Sequence, residues 1–172
     1  MVNPEKNIAA AAGPETRVVG IAELAVSDNP SEILITYSLG ACVGLTLYDP
    51  KTEVGGLIHC MLPQSSTDPE KARTRPAMFV DSGVKHLIEK LCDIGGIKDF
   101  FEARVAGAAS LMDNQRLFQI GKRNLVVLRR TLDREGIPIA GEEVGGTKAR
   151  TLVLDLSSGE TRLKSRDKEE IL

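Results

Sequence analysis

The sequence contains no tryptophan, and Phe, Tyr and Trp together make up 3% of its 172 residues. That scarcity removes the stacking platforms on which single-stranded nucleic acids are held. A formal net charge of −2 removes the electrostatic pull toward a phosphate backbone, so no nucleic-acid partner is expected. No apolar run approaches the ~20 residues needed to cross a bilayer as a helix. The opening "NIAAAAGPE" lacks the cationic start and long apolar stretch of a signal peptide. Direct insertion into a membrane is therefore not expected, and any contact with a membrane system should run through another protein. Cysteine is also sparse: Cys42, Cys60 and Cys92 form an odd set with no secretory signal, which reads as reduced thiols in a cytoplasmic protein. Cys42, His59 and Cys60 have no second closely spaced Cys/His pair to complete a tetrahedral zinc set. The Gly-Gly pairs at 55–56, 95–96 and 145–146 lie outside any P-loop or dinucleotide pattern. Neither a metal nor a cofactor is expected.

The rest of the composition is that of a globular protein, with 42% apolar and 27% charged residues. The length suits one domain with a core of its own. Residues 1–16 are expected as a flexible arm, 17–164 as the single domain, and 165–172 as a charged, solvated tail. Strands are expected over 17–26, 32–38, 42–48, 54–62 and 101–110, with further late strands over 137–146 and 149–164. The last of these is a hairpin around Ser158 and Gly159. The polar, Pro-bounded stretch 63–76 reads as a long loop. Val80, Val84, Leu87, Ile88 and Leu91 share one face of a helix stopped by Gly95-Gly96, and Leu125, Leu128 and Leu132 face inward from a second helix over 121–136. The order is β-rich, helix, strand, helix, β-rich. This indicates a mixed, layered α/β domain of the α+β type rather than a doubly wound sheet.

Within "ITYSLGACVGLTLYDPKTEVGGLIHCMLP" the strands 42–48 and 54–62 should form a hairpin across "DPKTE". Centred near Pro50 and Lys51, it would set Cys42 opposite His59, on one face and close together. Val43, Leu45, Leu47, Val54, Ile58 and Cys60 would then share the other face. Pro50 does not suit a two-residue type I′ turn, so a longer loop is expected, and a one-residue slip would separate the pair. Free cysteine is by default a small buried hydrophobe. Three features point beyond that default. Cys42 follows the glycine-containing break "SLGA", where backbone N–H groups are unpaired. It has an imidazole predicted across the hairpin. A hydroxyl residue, Thr36, lies on the preceding strand. Together these are the parts of thiol amide chemistry: a nucleophile, a base that takes its proton, N–H donors at Gly40, Ala41 and Cys42 for the oxyanion, and a group to orient the ring. Cys60 should face the core, Cys92 should pack on the apolar helix face, and His86 reads as a surface residue.

The stretches "TYSLGACVGLTLYDP" and "VGGLIHCMLP", followed by "ARVAGAASLMD", "IGKRN" and "EEVGGTKAR", resemble the CheD family of chemoreceptor glutamine deamidases. The likeness runs from about Val18 to Arg150 and beyond. It implies a layered sandwich of mixed β-sheets flanked by helices, like other cysteine deamidases. It implies a cysteine hydrolase, a protein-glutamine glutaminase, that converts glutamines of methyl-accepting chemotaxis receptors to glutamate. Cys42 would be the nucleophile, His59 the general base and acid, and Thr36 the residue orienting His59. The receptors' cytoplasmic helical domain would be the substrate, and the CheC phosphatase a second partner. The family usually has serine where this chain has Ala41 and often has glycine where it has Ser38. Ala41 keeps the backbone N–H, while Ser38 bears on substrate fit. The polar 64–76 stretch is expected to border the substrate groove. Two other readings stand beside this one: an adaptor that binds receptors or CheC with little turnover, and a thiol amidohydrolase of small amides.

Overall fold

A computed structural model describes residues 13–110, 115–166 and 168–172, with backbone alone for 115–118. Most of the arm expected over 1–16 lies outside the described residues. The described part contains strands β1 (Glu15–Val18), β2 (Leu24–Ser27), β3 (Glu32–Leu39), β4 (Val43–Asp49) and β5 (Val54–Cys60). These are followed by helices α1 (Pro69–Thr74) and α2 (Val80–Asp93), strand β6 (Glu102–Gly107) and helix α3 (Gln115–Glu135). Strands β7 (Ile139–Val144), β8 (Arg150–Asp155), β9 (Thr161–Ser165) and β10 (Lys168–Ile171) complete the chain.

The strands form two mixed five-stranded sheets, ordered β1-β3-β8-β9-β10 and β2-β5-β4-β6-β7. β1 runs parallel to β3 and β6 parallel to β7; the other pairs are antiparallel. Period-two alternation in β4 and β5 explains why the second sheet is buried on both faces. Val43, Leu45, Leu47, Val54, Ile58 and Cys60 pack under Val80, Val84, Leu87, Ile88 and Leu91 of α2 and Leu128 and Leu132 of α3. The opposite face, with Leu57 and Ala106, meets Leu34, Leu39, Leu152, Leu154 and Leu163 of the first sheet. The architecture is thus helices on sheet on sheet, the layered sandwich expected from the sequence. α2 comes very close to β5 at Gly83, where an added Cβ would sit 2.9 Å from Ile58 Cδ1.

Several expectations need correction. The strand expected over 17–26 is split between the two sheets. A turn with Ala22 at φ 61° carries the chain across, and Val19 N–H donates to Ile35 O while Ala22 N–H donates to His59 O. The loop expected over 63–76 contains a 3-10 turn (Ser65–Thr67) and α1, the latter capped by Asp68. α3 begins at Gln115, ahead of the expected 121. The 165–172 segment is mostly exposed, but it is not a loose tail. β10 pairs with β9, and Leu172 N–H donates to Thr161 O. The β8–β9 hairpin around Ser158 and Gly159 forms as expected.

The β4–β5 hairpin forms with its faces as expected, but in a different register. Gly44, rather than Cys42, is the partner of His59, and Val43 pairs with Cys60. The cause is a four-residue loop between Asp49 and Val54. Asp49 Oδ1 accepts from Lys51 N–H at 2.8 Å and from Thr52 N–H at 3.3 Å, and Glu53 takes φ 57°. The change is two residues, an even number, so Cys42 and His59 keep a common face.

Candidate functional site

Three segments meet at one end of the hairpin, between the two sheets. β3 brings Thr36, whose side chain points inward and is fully buried. A bulge between Thr36 and Leu39, with Ser38 at φ 58°, ends β3. The chain then passes from the first sheet to the second, and Cys42 lies half-buried just before β4. β5 supplies His59, 1% exposed. Because His59 lies opposite Gly44, Cys42 is its diagonal neighbour. Cys42 packs against the inter-sheet cluster that includes Leu39, Leu57 and Leu152, on the side of the sheet that carries His59.

Thr36 Oγ1 and His59 Nδ1 are 2.8 Å apart, a hydrogen bond that joins the two sheets. With Nδ1–H donating to the hydroxyl oxygen, Nε2 carries the lone pair. Nε2 has no hydrogen-bond partner among the described residues. Burial lowers the His59 pKa from its ordinary value to about 4, so the ring is neutral near pH 7 and able to accept a proton. Burial pushes the Cys42 thiol up, and its own backbone N–H partly opposes that shift. The resting pair is therefore neutral thiol and neutral imidazole.

The carbonyls of Gly40, Ala41 and Cys42 all accept hydrogen bonds. Gly40 O accepts from Ala109 N–H and Cys42 O from Ala108 N–H, both at 2.7 Å. Gly107 makes this approach possible. It takes φ +105°, and a Cβ there would lie 2.3 Å from Cys42 O. Among the described residues, none accepts from the N–H groups of Gly40, Ala41 or Cys42. These are the free donors expected at the break before β4. A fourth contributor went unassigned in the sequence: Asn124 of α3, fully buried, donates from Nδ2 to Ala41 O at 3.0 Å and to Met61 O at 3.1 Å. Its signal was a polar residue on the helix face otherwise buried through Gly121, Leu128, Thr131 and Leu132.

The remaining candidates stand apart from this arrangement. Cys60 is buried, with Sγ 3.2 Å from the Cβ position of Gly83, so it faces α2 as expected. Cys92 is exposed rather than packed. His86 lies 3.6 Å from Glu89 on the outer part of α2. The 64–76 stretch leaves β5 just after His59 and is tied back by Asp81, whose Oδ1 accepts from Ser65 N–H at 2.8 Å. No helix among the described residues is long and apolar enough to cross a membrane.

Comparison with known proteins adds an independent line. Residues 61–165 match the family model described as CheD, chemotactic sensory transduction. The chain is 45% identical over 158 residues to a Solibacter usitatus protein named probable chemoreceptor glutamine deamidase CheD, covering 92% of this chain and 94% of that one. It is 40% identical over 148 residues to the probable chemoreceptor glutamine deamidase CheD 1 of Syntrophus aciditrophicus, covering 86% and 92%. The same identity over 148 residues relates it to a probable chemoreceptor glutamine deamidase CheD of Pyrococcus horikoshii, covering 85% and 90%. The family-model span begins after His59, but alignments of this length must take in residues 36–59.

Proposed function

The chain belongs to the CheD family, and from that premise we propose that it deamidates glutamine side chains of methyl-accepting chemotaxis receptors, with Cys42, His59 and Thr36 as its catalytic triad. The observation that carries the reading is the Thr36–His59 hydrogen bond. It holds a neutral imidazole whose unpaired Nε2 lies on the same face as a half-buried thiol.

His59 Nε2 takes the thiol proton as Cys42 Sγ attacks the carboxamide carbon, forming a C–S bond. The oxygen becomes an oxyanion, received by free N–H groups among Gly40, Ala41 and Cys42. Collapse breaks the C–N bond, and His59 returns its proton to the departing nitrogen, releasing ammonia. Water then attacks the thioester while His59 accepts its proton. The C–S bond breaks, the sulfur regains a proton, and the receptor side chain is left as glutamate. Thr36 keeps the Nδ1–H tautomer throughout. The receptor's cytoplasmic helical domain is the substrate, which locates the enzyme in the cytoplasm. A CheC phosphatase is the second partner. The 64–76 stretch borders the groove that receives the helix.

The test is ammonia release by the purified protein, offered cytoplasmic receptor fragments or free glutamine. Release with receptor fragments and none above background with free glutamine is the expected result. No release with either would leave only an adaptor role, and equal release with free glutamine would make it a small-amide hydrolase.

A further inference from the structure

We propose that Asn124 is a positioning residue that aims the Cys42 N–H at the oxygen of the substrate carboxamide, an inference that rests on the deamidase reading above. In a trans peptide the C=O and N–H point to opposite sides. Whatever fixes Ala41 O therefore fixes the direction of the Cys42 N–H. Asn124 Nδ2 donates to Ala41 O at 3.0 Å. Ala109 N–H holds Gly40 O in the same manner and so directs the Ala41 N–H. Neither N–H has an acceptor among the described residues.

The second bond of Asn124 gives it a wider role. Nδ2 also donates to Met61 O at 3.1 Å, so one carboxamide ties the residue before the nucleophile to the strand end just beyond His59. The helix carrying it is closely seated: an added Cβ at Gly121 would lie 3.0 Å from Ala108 O. The second bond therefore holds the Asn124 carboxamide itself in place against Ala41 O. The choice of asparagine is informative. Position 124 falls on the buried face of α3 beside Leu128 and Leu132, and Asn124 Oδ1 has no partner among the described residues. A buried acceptor left unpaired is destabilising, so stability alone does not account for a carboxamide there.

The experiment compares Asn124→Ala with wild type in two reactions of the same sulfur. Receptor deamidation passes through an oxyanion; alkylation by iodoacetamide, a displacement at saturated carbon, does not. The expected result is a fall in kcat of about 10-fold or more, short of the ~10²–10³ lost when an oxyanion donor itself is removed. KM and the Cys42 alkylation rate should be unchanged. A variant with wild-type kcat overturns the proposal, and so does one that loses alkylation in step with deamidation, since that assigns Asn124 to general support of the site. Asn124→Leu, closer in volume, carries the same comparison if the alanine variant does not fold; failure of both to fold assigns the residue to the fold and overturns the proposal equally. Wild-type turnover separates the two levels. Its absence defeats the deamidase reading, whereas wild-type turnover with an unaffected Asn124→Ala defeats only the role of Asn124.

Discussion

Thr36→Val removes a single hydroxyl and keeps the β-branch and approximate volume. In the native site Thr36 Oγ1 is the partner of His59 Nδ1, at 2.8 Å, and Nε2 has none among the described residues. The valine variant leaves both ring nitrogens unpaired around a side chain that is 1% exposed. A buried donor without its acceptor costs about 1–3 kcal/mol. That penalty falls on the Nδ1–H tautomer, the form whose Nε2 can take the thiol proton. Converted to populations and orientation, it predicts a kcat lower by about 5- to 150-fold. Global stability should fall by a similar few kcal/mol at most, read from denaturant midpoints. Thr36→Ser restores the hydroxyl and should recover most of the rate, although the smaller side chain leaves a methyl-sized gap. Deamidation of a receptor fragment, followed by peptide mass, measures both variants. A valine variant with wild-type kcat, or a serine variant as slow as the valine one, would refute the orienting role.

Two further predictions come from the same geometry. With the His59 pKa near 4 in the folded protein, kcat/KM should hold down through mildly acidic pH and be lost as pH falls through about 4; a midpoint at the ordinary histidine value would contradict this. Because the folded pKa is depressed, the unfolded chain binds the extra proton between about 6.5 and 4, so stability falls with pH across that window, by roughly 3 kcal/mol. Thermal melts of wild type against His59→Gln should show the difference, with the variant's profile flatter. Gly107→Ala places a Cβ 2.3 Å from Cys42 O at a residue with φ +105°. It should cost more than ~1 kcal/mol of stability and displace the nucleophile, lowering kcat, and a fully active, fully stable alanine variant would show that this approach is dispensable.

The parts of the fold governed by period were legible in the sequence. The alternation of Val43, Leu45 and Leu47 against Val54, Ile58 and Cys60 gave the faces of the central hairpin, and the spacing of Val80, Val84, Leu87, Ile88 and Leu91 gave the buried face of α2. Register was less accessible, because it depends on how the turn closes. Asp49 gathers Lys51 and Thr52 into a four-residue loop, and the pairing moves by two. Sheet membership was not legible at all. Nothing in "RVVGIAELAV" says that Val18 and Leu24 join different sheets, since that depends on the turn at Ala22 and on the bonds to Ile35 and His59. The charged end of the chain has a solvated composition, yet edge pairing with β9 asks only for backbone. At the candidate site, the residue types and positions pointed to a meeting of Thr36 with His59 and to Cys42 on the same side of the sheet, and the fold brings these together. Asn124 stood out only as a polar residue on a buried helix face; its role lies in two carbonyls that are distant in sequence and meet only in the folded chain.

The most direct measurement is mass mapping of a receptor fragment after incubation with wild-type protein and, in parallel, with Cys42→Ala. A glutamine-to-glutamate conversion with wild type that drops to the no-enzyme background with the alanine variant is the predicted result. Conversion at the wild-type rate without the sulfur at position 42 would contradict the account at its root.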